Sequence, residues 1–235
     1  MRRRVKKLDG KEVAVGLGLI RSVCHDVAGP LSLILLGLDG EKAPRLGQKG
    51  ISLARKGARQ QKFYLNRLRG LSLLMQGHGQ DGVDVVAACQ AACRDAGPLA
   101  RQKMVTVDEA FLCENSFIKG LSSFVVSSLL VGELIQNAAH FAPTGSKVGI
   151  KVFKREDGRL CLTVQNALSQ EAKGFLWAYA KEPLEDVMEN KPKKGLLLAR
   201  YAAQHLSNHL DLAFSFSGFR SKEQEENVTA TLSFS

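Results

Sequence analysis

The chain has 235 residues, is 45% hydrophobic with a mean hydropathy of -0.08, and carries a formal net charge of +10. That length suits two compact units or one large one, and no apolar run reaches the roughly 18 residues that a membrane span needs. The basic residues are scattered and the aromatics sparse, which weighs against a nucleic-acid binder and favours an acidic protein partner.

The start, MRRRVKKLDG, is not followed by a signal-peptide core and cleavage site. A first helix begins at Asp9, which with Glu12 reads as a capping box. Leu17, Ile20, Cys24, Val27, Leu31, Ile34 and Leu38 then repeat with alternating spacings of three and four, a bundle seam. DGEKAPRLGQKG, 39–50, reads as a loop from its Gly, Pro and charge. A second helix is predicted over 51–76, with Ile51, Ala54, Ala58, Leu65, Leu68 and Met75 as its stripe. Two such helices leave apolar surface wet, whereas two hairpins close a four-helix bundle. A homodimer is therefore expected.

The second half differs. Helices are predicted over 83–101, 119–141 and 194–207, with an irregular helical stretch at 168–190. KMVTVDEAF reads as a strand, SKVGIKVFKREDGRLCLTVQN as a hairpin turning at Glu156, Asp157 and Gly158, and LDLAFSFS and NVTATLSFS as alternating strands. The expected fold class is α+β: a helical hairpin over 1–80, then an α/β sandwich with a mostly antiparallel sheet over 81–235.

The chemistry concentrates in CHDVAGPLSLILLGLD, residues 24–39. On a helix, His25 shares a face with Ala28, Gly29 and Ser32, small neighbours that leave room for another protein. Asp26 can hydrogen-bond a ring nitrogen or take its proton, leaving the other nitrogen more nucleophilic. Pro30 withholds a donor from the Asp26 carbonyl and is expected to bend the helix.

HDVAGPL resembles the phospho-acceptor box of bacterial two-component histidine kinases. ELIQNAAHFAP, 133–143, is similar to that family's N box at the ATP site, with Glu133, Asn137, His140, Phe141 and Pro143 in its places. The resemblance runs from about residue 10 to 235. It implies a dimerisation and histidine-phosphotransfer bundle followed by a histidine-kinase ATPase-type sandwich, with no sensor, receiver or membrane segment.

The pattern breaks at the glycines. Where the family has D-x-G-x-G, this chain reads VQNALSQEAKG, with Asn166 in the place of the Asp and no glycine pair. The GLGL box reads KKGLLLAR, keeping Gly195 and losing the second glycine that lets backbone N–H groups approach phosphate. This resembles kinase-derived histidine phosphotransferases, whose second domain is degenerate and does not bind ATP. The resemblance implies a dimer that carries phosphate on His25 between response-regulator aspartates, with Mg²⁺ supplied by the partner receiver domain. Gly29 stands where kinases with phosphatase activity often place a Thr or Asn, which puts that activity in doubt. An active soluble kinase and a non-catalytic dimeric scaffold remain the alternatives.

Other pairs read as structural. Cys89 with Cys93 and His205 with His209 are four apart, yet no second pair completes a metal set, so no metal is expected. The five cysteines show no disulfide spacing, and a reducing cytoplasm is the expected compartment. Trp177 and Tyr179 read as packing. Arg55, Lys56, Arg59, Lys62, Arg67 and Arg69 read as a mostly solvated face, some of which steers an acidic receiver.

Overall fold

The computed structural model describes residues 17, 18, 20, 24, 27, 30–32, 34, 35, 43–77, 81–168, 195–217 and 227–235. The chain divides into two units, Met1–Gln76 and Gly77–Ser235.

In the first unit every described position from Leu17 to Leu35 is helical. Helix α1 then spans Ala43–Gln76. It begins eight residues before the position expected from sequence, and residues 43–50 are helix, not loop. Pro44 explains the difference. In a first turn its missing N–H has no intrahelical acceptor to lose, and its fixed φ already suits a helix. Gly50 and Gly57, seven apart, are both buried. A Cβ on Gly57 would lie 2.5 Å from the Pro30 carbonyl oxygen and 2.9 Å from Ile34 Cγ1. The glycine thus lets the two helices of the hairpin approach almost backbone to backbone.

The second unit opens with a short antiparallel ribbon, β1 (Val83–Asp84) on β3 (Phe117–Ile118). Helix α2 (Val85–Gln102) comes directly after β1. Its buried residues, Val85, Ala88, Cys89, Ala92, Cys93, Ala96 and Ala100, recur at helical spacing. They are small, which allows close packing on α3 (Ser123–Phe141). Between these helices lies β2 (Thr106–Phe111). Contrary to the reading from sequence, helix α3 is long and apolar enough to cross a membrane by length and composition, but 67% of that window is buried inside the fold, as in a core helix.

The hairpin β4 (Lys147–Lys154) and β5 (Leu160–Ala167) turns at Gly158, whose φ of 83° needs a glycine. Helix α4 (Gly195–His205) and strands β6 (Leu210–Ser217) and β7 (Asn227–Phe234) complete the described elements. The sheet order is β2-β4-β5-β7-β6, with β2 parallel to β4 and the other pairs antiparallel. Alternation puts Val148, Ile150, Val152, Leu162, Val164, Ala230 and Leu232 on the buried face. Helices α2 and α4 each pack against α3, over it. This two-layer α+β sandwich is the predicted fold class. Beyond Leu168, the irregular helical stretch expected to reach residue 190 lies outside the described residues.

Candidate functional site

Two places carry the chemistry read from the sequence, one in each unit. In the first, His25, Asp26, Ala28 and Gly29 lie outside the described residues. Their flanks are described. Pro30 is buried and faces Gly57; Leu31 and Ser32 are exposed. Helical positions stand on both sides of the proline, at Val27 and at Leu31. The seam is divided. Ile20, Val27 and Ile34 are half-buried, while Leu17, Cys24 and Leu31 are exposed. Leu17 is 50% accessible and Leu31 43%, so half of the described seam positions are uncovered within one chain.

On α1 one sequence assignment needs correcting. Arg67 is not on a solvated face but is 9% accessible. Its guanidinium lies over the Phe63 ring, 4.1 Å from the centroid, with Tyr64 at 5.4 Å. Guanidinium stacks well because it is planar and weakly hydrated. Arg55, Lys56, Arg59, Lys62 and Arg69 are exposed as expected.

In the second unit α3 builds the site. Ser122 caps it, its hydroxyl accepting from the Val125 N–H at 3.4 Å. The chain then runs as a π-helix over Val126–Val131. The Gly132 N–H bonds the Ser127 carbonyl, and a Cβ at Gly132 would sit 2.7 Å from that oxygen, so the wide turn needs this glycine. The inserted residue rotates the remainder of the helix, and Val131 through Ile135 are all buried. Glu133 is fully buried. Asn137 is turned back on its own helix, its Nδ2 donating to the Glu133 carbonyl at 2.7 Å. His140 is exposed, edge-on to Phe141 with centroids 4.8 Å apart. Its carbonyl accepts from Lys103 Nζ, which also reaches the Ala142 carbonyl at 2.7 Å. One ammonium thus caps the negative end of α3.

Asn166 faces α3 from β5, is buried, and donates from Nδ2 to the Ala167 carbonyl at 2.8 Å. Asn137 and Asn166 line one cavity of about 20 Å³, walled otherwise by apolar groups including Leu134, Leu196, Phe214 and Val228. That is room for about one water molecule. Gly195 opens α4 immediately before Leu196. The fold therefore brings Asn137, Asn166 and the start of α4 together, while His140 does not line the cavity. Sequence reasoning missed Phe214 and Val228. Only their alternation in β6 and β7 hinted at them, and strand order decides which helix they meet.

Asp84, Cys89 and Cys93 carry the other resolved electrostatic shifts among the described residues. Asp84 caps α2, accepting from the Ala87 N–H at 3.2 Å and from the Ser116 hydroxyl. The Ser116 hydrogen bond, helped by two backbone N–H groups, lowers its carboxyl below the ordinary value. Burial raises the Cys89 thiol far above its usual value and pushes Cys93 up to about 12, with Glu109 adding to both. Among the described residues no three His, Cys, Asp or Glu converge. His205 stacks on Tyr201 at 5.7 Å and His209 is exposed. Trp177 and Tyr179 lie outside the described residues.

No protein-family model and no curated protein matches the sequence. Solved structures match its fold. The histidine kinase AdeS of Acinetobacter baumannii superposes with a TM-score of 0.54 at 14% identity, over 90% of this chain and 97% of its own. A bacterial phosphotransferase does so at 0.57 and 13%, over 96% and 98%. Full-length ShkA in complex with AMPPNP gives 0.56 and 13%, over 92% of this chain and 45% of that one. The fold is that of histidine-kinase cores, the second unit having their ATPase-type sandwich.

Proposed function

We propose that this chain, folded like a two-component histidine-kinase core, is a cytoplasmic histidine phosphotransferase of a phosphorelay. It carries a phosphoryl group on His25 between receiver aspartates and uses no ATP. The observation that carries this reading is the state of the second unit's cavity. Asn137 and Asn166 meet around a space of about 20 Å³, the Asn137 amide is bound to its own helix, and the glycines that would admit a nucleotide are replaced in the sequence. A bacterial phosphotransferase is among the folds it matches over nearly its whole length.

The chemistry needs a nucleophile and positioning. A ring nitrogen of His25 attacks the phosphorus of an aspartyl phosphate in line. A P–N bond forms, the P–O bond breaks, and the receiver's carboxylate leaves as the anion. Asp26 holds the opposite ring N–H and stabilises the cationic ring. The receiver supplies the Mg²⁺ and lysine that neutralise the moving group, and the bundle supplies orientation. Leu17, Cys24 and Leu31, seven apart and exposed, support closure of that bundle by a second copy. Neither nucleic acid nor a membrane enters the proposal.

The test is a labelling assay with Mg²⁺ and either γ-labelled ATP or a labelled phospho-receiver from the same cell. Acid-labile, base-stable label from the receiver alone, absent in His25→Ala, is the expected result. Label from ATP makes the chain a kinase instead, and no label from either source favours a scaffold.

A further inference from the structure

We infer that Arg67 is a positioning residue for the reaction at His25: it pairs with Asp26 across the helical hairpin, so that this carboxylate orients the histidine ring and does not take its proton. The inference rests on the phosphorelay reading for the reaction it serves, but the pairing itself stands on the hairpin alone.

Arg67 stands where a helix pair puts apolar side chains. Gly57, Tyr64, Arg67, Leu71 and Leu74 follow one another at spacings of seven, three, four and three, a seam along α1. Gly57 of this series meets Pro30 and Ile34 of the preceding helix, and Leu71 and Leu74 are buried like Arg67. A guanidinium taken out of water here needs an anion, since stacking on Phe63 replaces only part of its hydration. Helix α1 has no Asp or Glu to supply one.

The register of the hairpin shows which carboxylate is at hand. Residues 36–42 alone connect the two helices, which therefore run antiparallel. Gly57 is level with the middle of Pro30–Ile34, near residue 32. The Arg67 guanidinium reaches back one turn to lie over the Phe63 ring, six residues beyond Gly57. Six residues back from 32 is position 26, so both stand about 9 Å from the glycine contact. Cys24 and Val27, flanking the pair 25–26, are helical. The first 76 residues hold five carboxylates, and Asp9, Glu12, Asp39 and Glu41 are 13 or more positions from 26, roughly 20 Å along a helix.

The side agrees with the level. At about 100° per residue, measured from the Gly57 contact, the accessible Leu17 and Leu31 of the first helix and Ile51 and Leu65 of α1 all fall on one flank of the hairpin. Position 26, one turn before Pro30, falls on the other flank, as do Phe63 and Arg67. Arg67 takes one Asp26 oxygen in a charge-assisted hydrogen bond and leaves the second for the His25 ring N–H. A carboxylate beside a guanidinium is a poor base. Asp26 therefore fixes the tautomer and the direction of the ring. No proton has to leave, because the attacking nitrogen already carries a lone pair and the opposite N–H stays in place.

The test is a double-mutant cycle in the full chain: Arg67→Met, Asp26→Asn and both together, with Arg67→Lys as the conservative variant. Two quantities are read, the rate of label transfer from a purified phospho-receiver and the urea midpoint by circular dichroism. Arg67→Met is expected to slow transfer about 10-fold, a part of the roughly 100-fold or more that a positioned acid–base group supplies, and to change the rate little once Asp26 is Asn. Arg67→Lys should recover part of the rate, since it keeps the charge and loses the planar stack. The midpoint shifts of the two single variants should likewise fail to add. If Arg67→Met loses its helicity, Arg67→Lys takes its place in the cycle. A residue that only fills the seam would cost the same in both backgrounds, so additive effects on the rate overturn the inference, as does a Met variant that transfers like its parent. No transfer by the parent protein, with the midpoints still coupled, removes the phosphorelay reading and leaves the pair. Transfer by the parent with midpoints and rates both uncoupled removes the pair and leaves the relay.

Discussion

The two units solve the burial problem differently. In the second, Leu129, Leu130, Ile135, Ile150, Leu162, Leu197, Leu198 and Phe234 are all fully buried, and the helical layer closes the core within one chain. In the first, Leu17, Leu31, Leu35, Ile51 and Leu65 remain 43–62% accessible. Accessible apolar residues at seam spacing have the pattern of an interface; those of the second unit, Met104, Leu112 and Phe117, show no such spacing. The contrast teaches where burial is completed within one chain, in the sandwich, and where apolar side chains stay accessible, along the helical hairpin.

The largest effect should come from the closed core. Leu162→Ala removes a fully buried side chain at the middle of the sheet and should cost about 2–5 kcal/mol, read as a lower urea midpoint that does not depend on protein concentration. Next is the hairpin contact. Gly57→Ala puts a methyl against the Pro30 carbonyl and should destabilise by about 1–3 kcal/mol, loosening the helical unit while the sandwich's own transition stays in place. Leu31→Glu tests the open half directly. It should leave the folded chain near neutral in stability when dilute, yet abolish concentration-dependent association in sedimentation. A variant that sediments like its parent would remove the argument that a second copy covers the seam.

The smallest effect is a pH dependence. Asp84 has a folded value lowered from 3.8, chiefly by Ser116. A lowered carboxylate stabilises the fold above its unfolded value, and that contribution is lost as pH falls through the lower folded value. Asp84→Asn keeps a capping oxygen and should flatten this acid limb by a fraction of a kcal/mol. A limb of unchanged slope would show that Asp84 does not set it.

Strict alternation made β6 and β7 legible, because a period of two has few competing explanations, and Gly158 marked the hairpin turn. The start of α1 was not legible: Pro44, Gly47 and Gly50 punctuate loops and helix starts alike, and only Gly57 against Pro30 shows what small residues there are for. Arg67 was misread because a helical wheel sees charge and not the aromatic pair beneath it. The site divided the same way. Asn137 and Asn166 were picked out along the chain and line one cavity, whereas Phe214 and Val228 join them there only through strand order. The π-turn before Glu133 was missed because i+5 bonding has no simple signature beyond Gly132.

Strand order has a consequence in time. Of the five strands of the main sheet, β7 comes last in the chain yet lies between β5 and β6. Until residues 227–234 have been synthesised, β6 has no neighbour and β5 offers a bare edge. Unpaired edges of this kind recruit other chains, and pairing across such sequence distances is slow. The sandwich must therefore pass through a vulnerable interval during biosynthesis, and a polypeptide interrupted before Asn227 is a substrate for chaperones and proteases rather than a smaller working domain.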